Sequence, residues 1–438
     1  MSYSNDIRKL IDIQDTNITF EENCVQVQKH RGLMTKFIKA KLSYTPNHCR
    51  VCGVKNRNYT IYKNGTKTLN IKLPTFGVYP RHSQLKKQYF FCKECRITFI
   101  AQTNIVERNC FISNHTKAKI LIKSTDAQSL TDIAKDSAVS PTTVQRVINK
   151  EARRYKPHYR YLPAHLSFDE FKYAKGQMAF EYVDAETGDI IDILNKRDSH
   201  TIKNHFIANY DRKTLDKVQT ITIDMNAGYV SVIKEIFPKA KIIIDRFHIV
   251  QLVSRSMNIT RVRVMNNFRT SNGEDMKKYR RLKRYWRLIL KKRRNLSYTR
   301  YKFYVMFGQR LEVNVVEDLL NFEENLKYNY EFYQSILESI QDKNFHKLKS
   351  ILSKINTNNL SKSMKTSVKT LKEHLPYIKN SLIYPYSNGR IEGINNKIKV
   401  LNRVAYGYRN FHNFKNRIML HFKLKSVLNQ KDTVYSAA

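Results

Sequence analysis

Acidic side chains are scarce in this 438-residue sequence: 37 Asp and Glu stand against 79 Lys and Arg, a formal net charge of +42. A surplus of that size implies a polyanionic partner, and nucleic acid is the first choice. Long apolar runs are missing too. No stretch reaches the roughly eighteen residues that a membrane-spanning helix needs, so no membrane partner is expected. The opening residues, MSYSNDIRKLIDIQD, carry acids and no extended apolar segment, unlike a secretory signal. A cytoplasmic setting with reduced thiols is therefore expected. What is present fits a folded chain of several domains: 41% of residues are hydrophobic and 11% aromatic.

Two segments sharpen the scarcity of acids. Met276 to Leu311 holds fourteen Lys and Arg and no acid, interleaved with aromatics such as Tyr285, Trp286, Tyr298, Tyr301 and Phe303. Without a counter-charge such a block repels itself, which suggests a nucleic-acid path involving Arg293 and Arg294. Its aromatics suit a core better than a base-stacking surface. Between Glu373 and Asp432, Glu392 is the only acid among eleven Lys and Arg. That isolation makes it a candidate for a task requiring a carboxylate.

Four of the six cysteines form two CxxC pairs, Cys49/Cys52 and Cys92/Cys95. Each pair can present two thiolates to one tetrahedral ion, and Gly53 suits the tight knuckle that follows the first. With strand-like segments around them, residues 46–110 read as a zinc ribbon holding one structural Zn²⁺, although the 39 residues between the pairs exceed the common spacing of about 15–20. Cys24 and Cys110 read as packing residues. His48 and His82 are substitute ligands at most, and surface histidines by default. Residues 1–45 carry no assignable pattern.

In SLTDIAKDSAVSPTTVQRVINK, Leu130, Ile133 and Ala134 mark one amphipathic helix. Ser140 caps a second, Pro141 opens it, and Val144, Val147 and Ile148 form its buried stripe. Residues 111–156 thus read as a helix-turn-helix domain, with Ala138 in the turn where Gly is commoner. Its second helix would offer Thr142, Thr143, Gln145, Arg146 and Lys150 to a major groove.

The pattern then becomes strand, hairpin, helix, strand, helix, strand, the order of an RNase H-like α/β layer. Asp169 lies in the first strand and Asp224 ends the fourth, so both fall at one sheet edge. Glu392 would come from a helix docked by Ile391, Ile394, Ile398 and Leu401; Glu392 shares the other face with Asn396, expected beside the site, and with Lys399 and Arg403, expected to follow the phosphate backbone of DNA. Converging carboxylates suit hard divalent ions, and phosphodiester cleavage commonly uses two of them. Glu170 points to the opposite strand face. Asp184, Asp189 and Asp192 read as turn or surface residues.

The zinc ribbon, the helix-turn-helix, SFDEF, TIDMNAGY, IIIDRFHIV and SNGRIEGINNKIK…RVAYGYRNF occur in this order, and the set resembles the ISL3 family of bacterial insertion-sequence transposases. The resemblance runs from about Cys49 to Phe414. It implies a DDE triad of Asp169, Asp224 and Glu392 on an RNase H-like fold, holding two Mg²⁺ or Mn²⁺ ions. It also implies an all-helical insertion between the second and third acids. The domains expected are a first catalytic part over 160–250, the insertion over 251–379, a closing helix over 380–415 and a tail over 416–438. Asp245 and His248 are expected to support the active-site edge rather than to bind metal. The partners implied are double-stranded DNA, as terminal inverted repeats and target, and further copies of the chain in a dimer or larger complex. The setting is then the bacterial nucleoid. A transposase-derived, non-cutting DNA-binding regulator is the alternative.

Overall fold

Arg31 and Gly32 both take positive φ, 49° and 85°, the backbone that a two-residue hairpin turn requires. They join β1 (Ile18–His30) to β2 (Leu33–Leu42), which belong to a mixed sheet with β3 (Ile61–Leu73), β4 (Arg81–Cys92) and β5 (Thr98–Ile100). The order is β1-β2-β4-β3, with β5 on the end of β4. Residues 18–42, unassignable from sequence, thus supply two of the five strands of the sheet that carries the cysteines. The computed structural model describes residues 3–75, 77–225 and 227–435. It divides into two units, residues 1–156 with 398–438, and residues 157–397.

In the first unit the strands follow a short helix α1 (Tyr3–Leu10). Ile18, Ile38, Leu42, Ile71, Leu85 and Phe90 build one core with the buried Cys49 and Cys92. Three helices follow: α2 (Asn114–Lys123), α3 (Leu130–Asp136) and α4 (Pro141–Ala152). Ser113, Ser129 and Ser140 cap them by accepting from backbone N–H groups three residues on. Ala138 occupies a left-handed position (φ 48°) in the turn between α3 and α4, where glycine would be unstrained. The terminal segment is no tail. Phe411–Tyr435 is helical, and Leu420 enters the core formed by Ile120, Ile133, Val144 and Ile148. Arg417 fixes the same helix by donating to the carbonyls of Asp126 (3.0 Å) and Gln128 (3.2 Å).

The second unit is built on β6 (His165–Ala174), β7 (Gln177–Asp184), β8 (Ile190–Leu194), β9 (Thr220–Ile223) and β10 (Lys241–Ile244), in the order β10-β9-β6-β7-β8. β6, β7 and β8 form an antiparallel meander, while β9 and β10 run parallel to β6. The crossovers are α5 (Ser199–Asn209) with the short α6 (Arg212–Leu215), then α7 (Ala227–Ile236). Phe168, Phe180, Tyr182 and Phe206 fill the layer beneath.

From Asp245 onward the structure is helical: α8 (Arg246–Asn267), α9 (Gly273–Arg284), α10 (Trp286–Leu290), a small hairpin β11 (Lys302–Tyr304) and β12 (Gly308–Arg310), then α11 (Glu312–Leu320), α12 (Glu324–Gln341), α13 (Phe345–Lys354), α14 (Lys362–Glu373) and α15 (Leu375–Ile383). The hairpin is the one exception to an all-helical insertion among the described residues. α15 returns to the sheet edge, where Asn380 donates to the Ile242 carbonyl at 2.8 Å and Ser381 to that of Ile244. The chain then enters α16 (Gly389–Val404), the helix bearing Glu392. Ile391, Ile394, Ile398 and Leu401 are all buried.

Candidate active site

Strand register decides which acids meet. His165, Leu166 and Ser167 of β6 pair in parallel with Thr220, Ile221 and Thr222 of β9. Two residues further along, the same register sets Asp169 level with Asp224. β9 and β10 pair Ile223 with Ile244, so the next step brings Asp245 level with Asp224, and the Asp245 N–H donates to the Ile223 carbonyl at 2.9 Å. On the other side of β6, Asp169 is the direct antiparallel partner of Glu181 on β7. Four neighbouring strands therefore carry an acid at one level: Asp245, Asp224, Asp169, Glu181.

Asp169 is the best-defined member. Its Oδ1 accepts from the Glu170 N–H at 2.8 Å and its Oδ2 from Asn395 Nδ2 at 2.9 Å. Burial still pushes its carboxyl up to about 6, the nearby charge of Asp224 adding to the rise while these bonds and His248 oppose it. Glu181 is fully buried, and neither of its carboxylate oxygens has a partner. Burial, then the charge of Asp169, drives its pKa well above the ordinary range.

Glu392 approaches from α16. Its Oε1 lies 4.0 Å from His248 Nε2, and Asp245, His248 and Glu392 each offer a ligand atom within 4.8 Å of the others. Asp245 also caps α8, accepting from the Phe247 N–H at 3.3 Å. The Asp245–His248–Glu392 grouping could thus hold a metal as well as support the edge. Asn396, the amide expected beside the site, is exposed, whereas Asn395 is buried and touches Asp169. The helix turn that reaches the strand is i+3 from Glu392, not i+4. Lys399 and Arg403 are exposed on later turns of α16. Glu170 faces away, bonded to Arg197 and to the Tyr229 hydroxyl (2.8 Å). Of the hairpin acids, Asp192 is not a surface residue: it is buried, and Tyr159 donates to it at 3.3 Å.

The donor set fits hard cations. Carboxylates crowd one edge, and both oxygens of Glu181 and Asn395 Oδ1 are buried acceptors with no donor.

A separate cluster lies in the first unit. Cys49, Cys52, Cys92 and Cys95 bring their sulfurs within 4.8 Å of one another, with Cys49–Cys95 at 3.7 Å and Cys52–Cys92 at 3.8 Å. Gly53 (φ 76°) and Arg96 (φ 56°) turn the two knuckles alike. The long spacing is taken up by β3 and β4, which pair so that both knuckles sit at one end. Burial opposes ionisation of Cys49, but backbone N–H groups at Cys52 and Val51 and neighbouring thiols bring it down to about 7. Burial sends Cys95 up to about 12. Four sulfurs this close match a tetrahedral cation. His48 and His82 are outside the cluster; His82 stacks on Phe37 instead.

The residues expected to meet DNA are dispersed. On α4, Thr142, Arg146 and Lys150 are exposed, Lys150 pairing with Glu107 at 2.6 Å. Thr143 bonds to the capping Ser140 at 3.0 Å, and Gln145 donates to Asn149 at 2.9 Å, which the terminal helix contacts through Asn413 and Asn416. The basic block finds counter-charges after all. Arg293 pairs with Glu331, Arg294 grips Asp342 with two bonds (2.6 and 2.8 Å), and Lys291 and Lys302 share Glu312. Tyr285 is buried, but Tyr298, Tyr301 and Phe303 are exposed.

Sheet, acidic edge and returning helix define a mixed α/β protein with a carboxylate centre split across distant parts of the sequence. A family model described as a DDE-type transposase of the ISL3 group matches residues 166–418, more than half of the chain. The chain belongs to the ISL3 transposase family. It is 29% identical to the transposase for insertion sequence element IS1001 of Bordetella parapertussis over 250 residues, 56% of this chain and 57% of that one. It is also 40% identical, over 111 residues, to a Lactococcus lactis subsp. lactis protein named as an ATP-dependent protease, a quarter of this chain and 34% of that one. The chain thus spans between a third and three-fifths of these relatives. Among the described residues, no helix is long and apolar enough to cross a membrane.

Proposed function

We propose that the protein cuts DNA at the ends of its own mobile element and joins the freed 3′ ends to a new site. The observation that carries this reading is the in-register alignment of Asp169 with Asp224 at the edge where Glu392 arrives from α16. The strand order β10-β9-β6-β7-β8 supports an RNase H-like assignment for this unit. Asp169, Asp224 and Glu392 would hold two Mg²⁺ or Mn²⁺ ions, which when bound activate the attacking oxygen and stabilise the leaving one. Asn395 fixes the Asp169 carboxylate, and His248 restrains Glu392.

In this reading the four cysteines hold one Zn²⁺, making β3, β4 and β5 a zinc ribbon that stiffens the first unit. Helices α2–α4 form a helix-turn-helix that reads the terminal inverted repeats through Thr142, Arg146 and Lys150. Two ends must be joined, so at least two copies of the chain assemble on DNA. The test is cleavage of duplexes bearing the element's own ends in Mg²⁺ or Mn²⁺. Wild-type protein should nick at the ends, while Asp169→Asn, Asp224→Asn and Glu392→Gln should bind without cutting. Wild-type protein that binds these duplexes yet never cuts them would replace this reading with a DNA-binding regulator.

A further inference from the structure

Strand β7, QMAFEYVD, is buried over most of its length, and at its centre stands a glutamate. Phe180 and Tyr182, on either side, point into the aromatic layer against Phe168 and Phe206. By strand alternation Glu181 takes the opposite face, the one its cross-strand partner Asp169 shares. It is 0% exposed, and neither oxygen meets a donor. Burying a carboxyl with no partner opposes folding, and an apolar residue of similar volume would serve the core better. The ordinary reasons for a buried glutamate, an arginine or lysine partner or a set of backbone N–H groups, are absent at this side chain. Its one electrostatic neighbour of note is Asp169, itself an acid.

Once ionised, Glu181 and its cross-strand partner Asp169 are two acceptor-only groups side by side, and a cation between them satisfies both. A hard divalent ion fits, because it takes oxygen ligands and attracts both carboxylates at once. We propose that Glu181 is a further carboxylate ligand of the divalent-cation site, binding on the side of Asp169 away from Asp224. This rests on the metal-binding role proposed above for Asp169, Asp224 and Glu392. It extends that site from two strands and α16 to three strands and α16, and it gives the unpartnered oxygens of Glu181 their task.

The test measures Mn²⁺ binding to the full-length protein directly, by calorimetry and by the electron paramagnetic resonance signal of free Mn²⁺, with no DNA present. Wild type is compared with Glu181→Gln, which keeps shape and removes charge, and with Glu181→Leu, which suits an apolar setting. Asp169→Asn serves as the reference. Losing a supporting group at a metal site typically weakens affinity about 10- to 100-fold. Both Glu181 variants should therefore bind Mn²⁺ at least tenfold more weakly, and Mn²⁺ should raise their thermal midpoint less than it raises that of wild type. If either folded variant binds with wild-type affinity while Asp169→Asn does not, Glu181 lies outside the site and the proposal fails alone. If Asp169→Asn also binds as wild type does, the metal-binding reading of the whole edge fails with it.

Discussion

Replacing Asp169 by Asn should change stability in opposite directions at low and high pH. In the metal-free protein the Asp169 carboxyl is raised from an unfolded value near 3.8 to about 6. The folded state therefore favours the protonated form. Stability present below pH 4 is lost as pH rises through 6, because folding must then bury a charge or bind a proton that the unfolded chain has released. A rise of that size corresponds to about 3 kcal/mol at neutral pH. Asn removes that penalty. It also replaces one acceptor oxygen with a donor, so one of the two bonds from the Glu170 N–H and Asn395 Nδ2 is lost, costing about 1 kcal/mol. The variant should be about 1 kcal/mol less stable than wild type at pH 3 and about 1–2 kcal/mol more stable at pH 7.5. Urea unfolding in EDTA at the two pH values, followed by far-ultraviolet circular dichroism, measures both. If the variant is destabilised by the same amount at each pH, Asp169 is not a desolvated acid and the electrostatic account of the edge is wrong.

Three further outcomes are expected. Fresh reduced protein should contain one zinc per chain, and Cys92→Ser should lose it and unfold the β1–β5 module, seen as loss of amide protection in β3 and β4. Lys399→Ala with Arg403→Ala should weaken DNA binding and lower the slope of log affinity against log salt by about 2, since each exposed cation contributes roughly 0.9. Arg294→Ala should instead lower stability only slightly, because its pairing with Asp342 is largely exposed, and leave that slope unchanged.

Local patterns were the legible part of the sequence. Ser140 and Pro141 mark the start of α4, and CxxC spacing identifies the cysteine cluster, because capping and chelation are set within a few residues. The alternation of strands and helices from His165 to Asp245 gives a layer order in which Asp169 and Asp224 are neighbours. The remainder depends on contacts between distant segments. β1 is exposed along most of its length, and β4, the parallel partner of β2, comes only after β3, so nothing local announces their sheet. The terminal helix has apolar residues spread around its axis, and only its contact with Ile120 and Val144 shows which are core. The acids that neutralise Arg293, Arg294 and Lys302 lie on α11, on α12 and at the C-cap of α12, out of sight of a count that stops at Leu311. Asn395 and Asn396 are adjacent, and helix rotation alone decides which meets Asp169. Glu181 did leave a trace, as an acid at a core position of an apolar strand.

The central claim is that Asp169, Asp224 and Glu392 form one metal centre, and anomalous scattering from Mn²⁺ in crystals of the full chain tests it most directly. Peaks within about 2.5 Å of the Asp169 and Asp224 carboxylates, with Glu392 completing the shell, are the predicted result. A single peak held by Asp245, His248 and Glu392, with Asp169 and Asp224 bare, would contradict it.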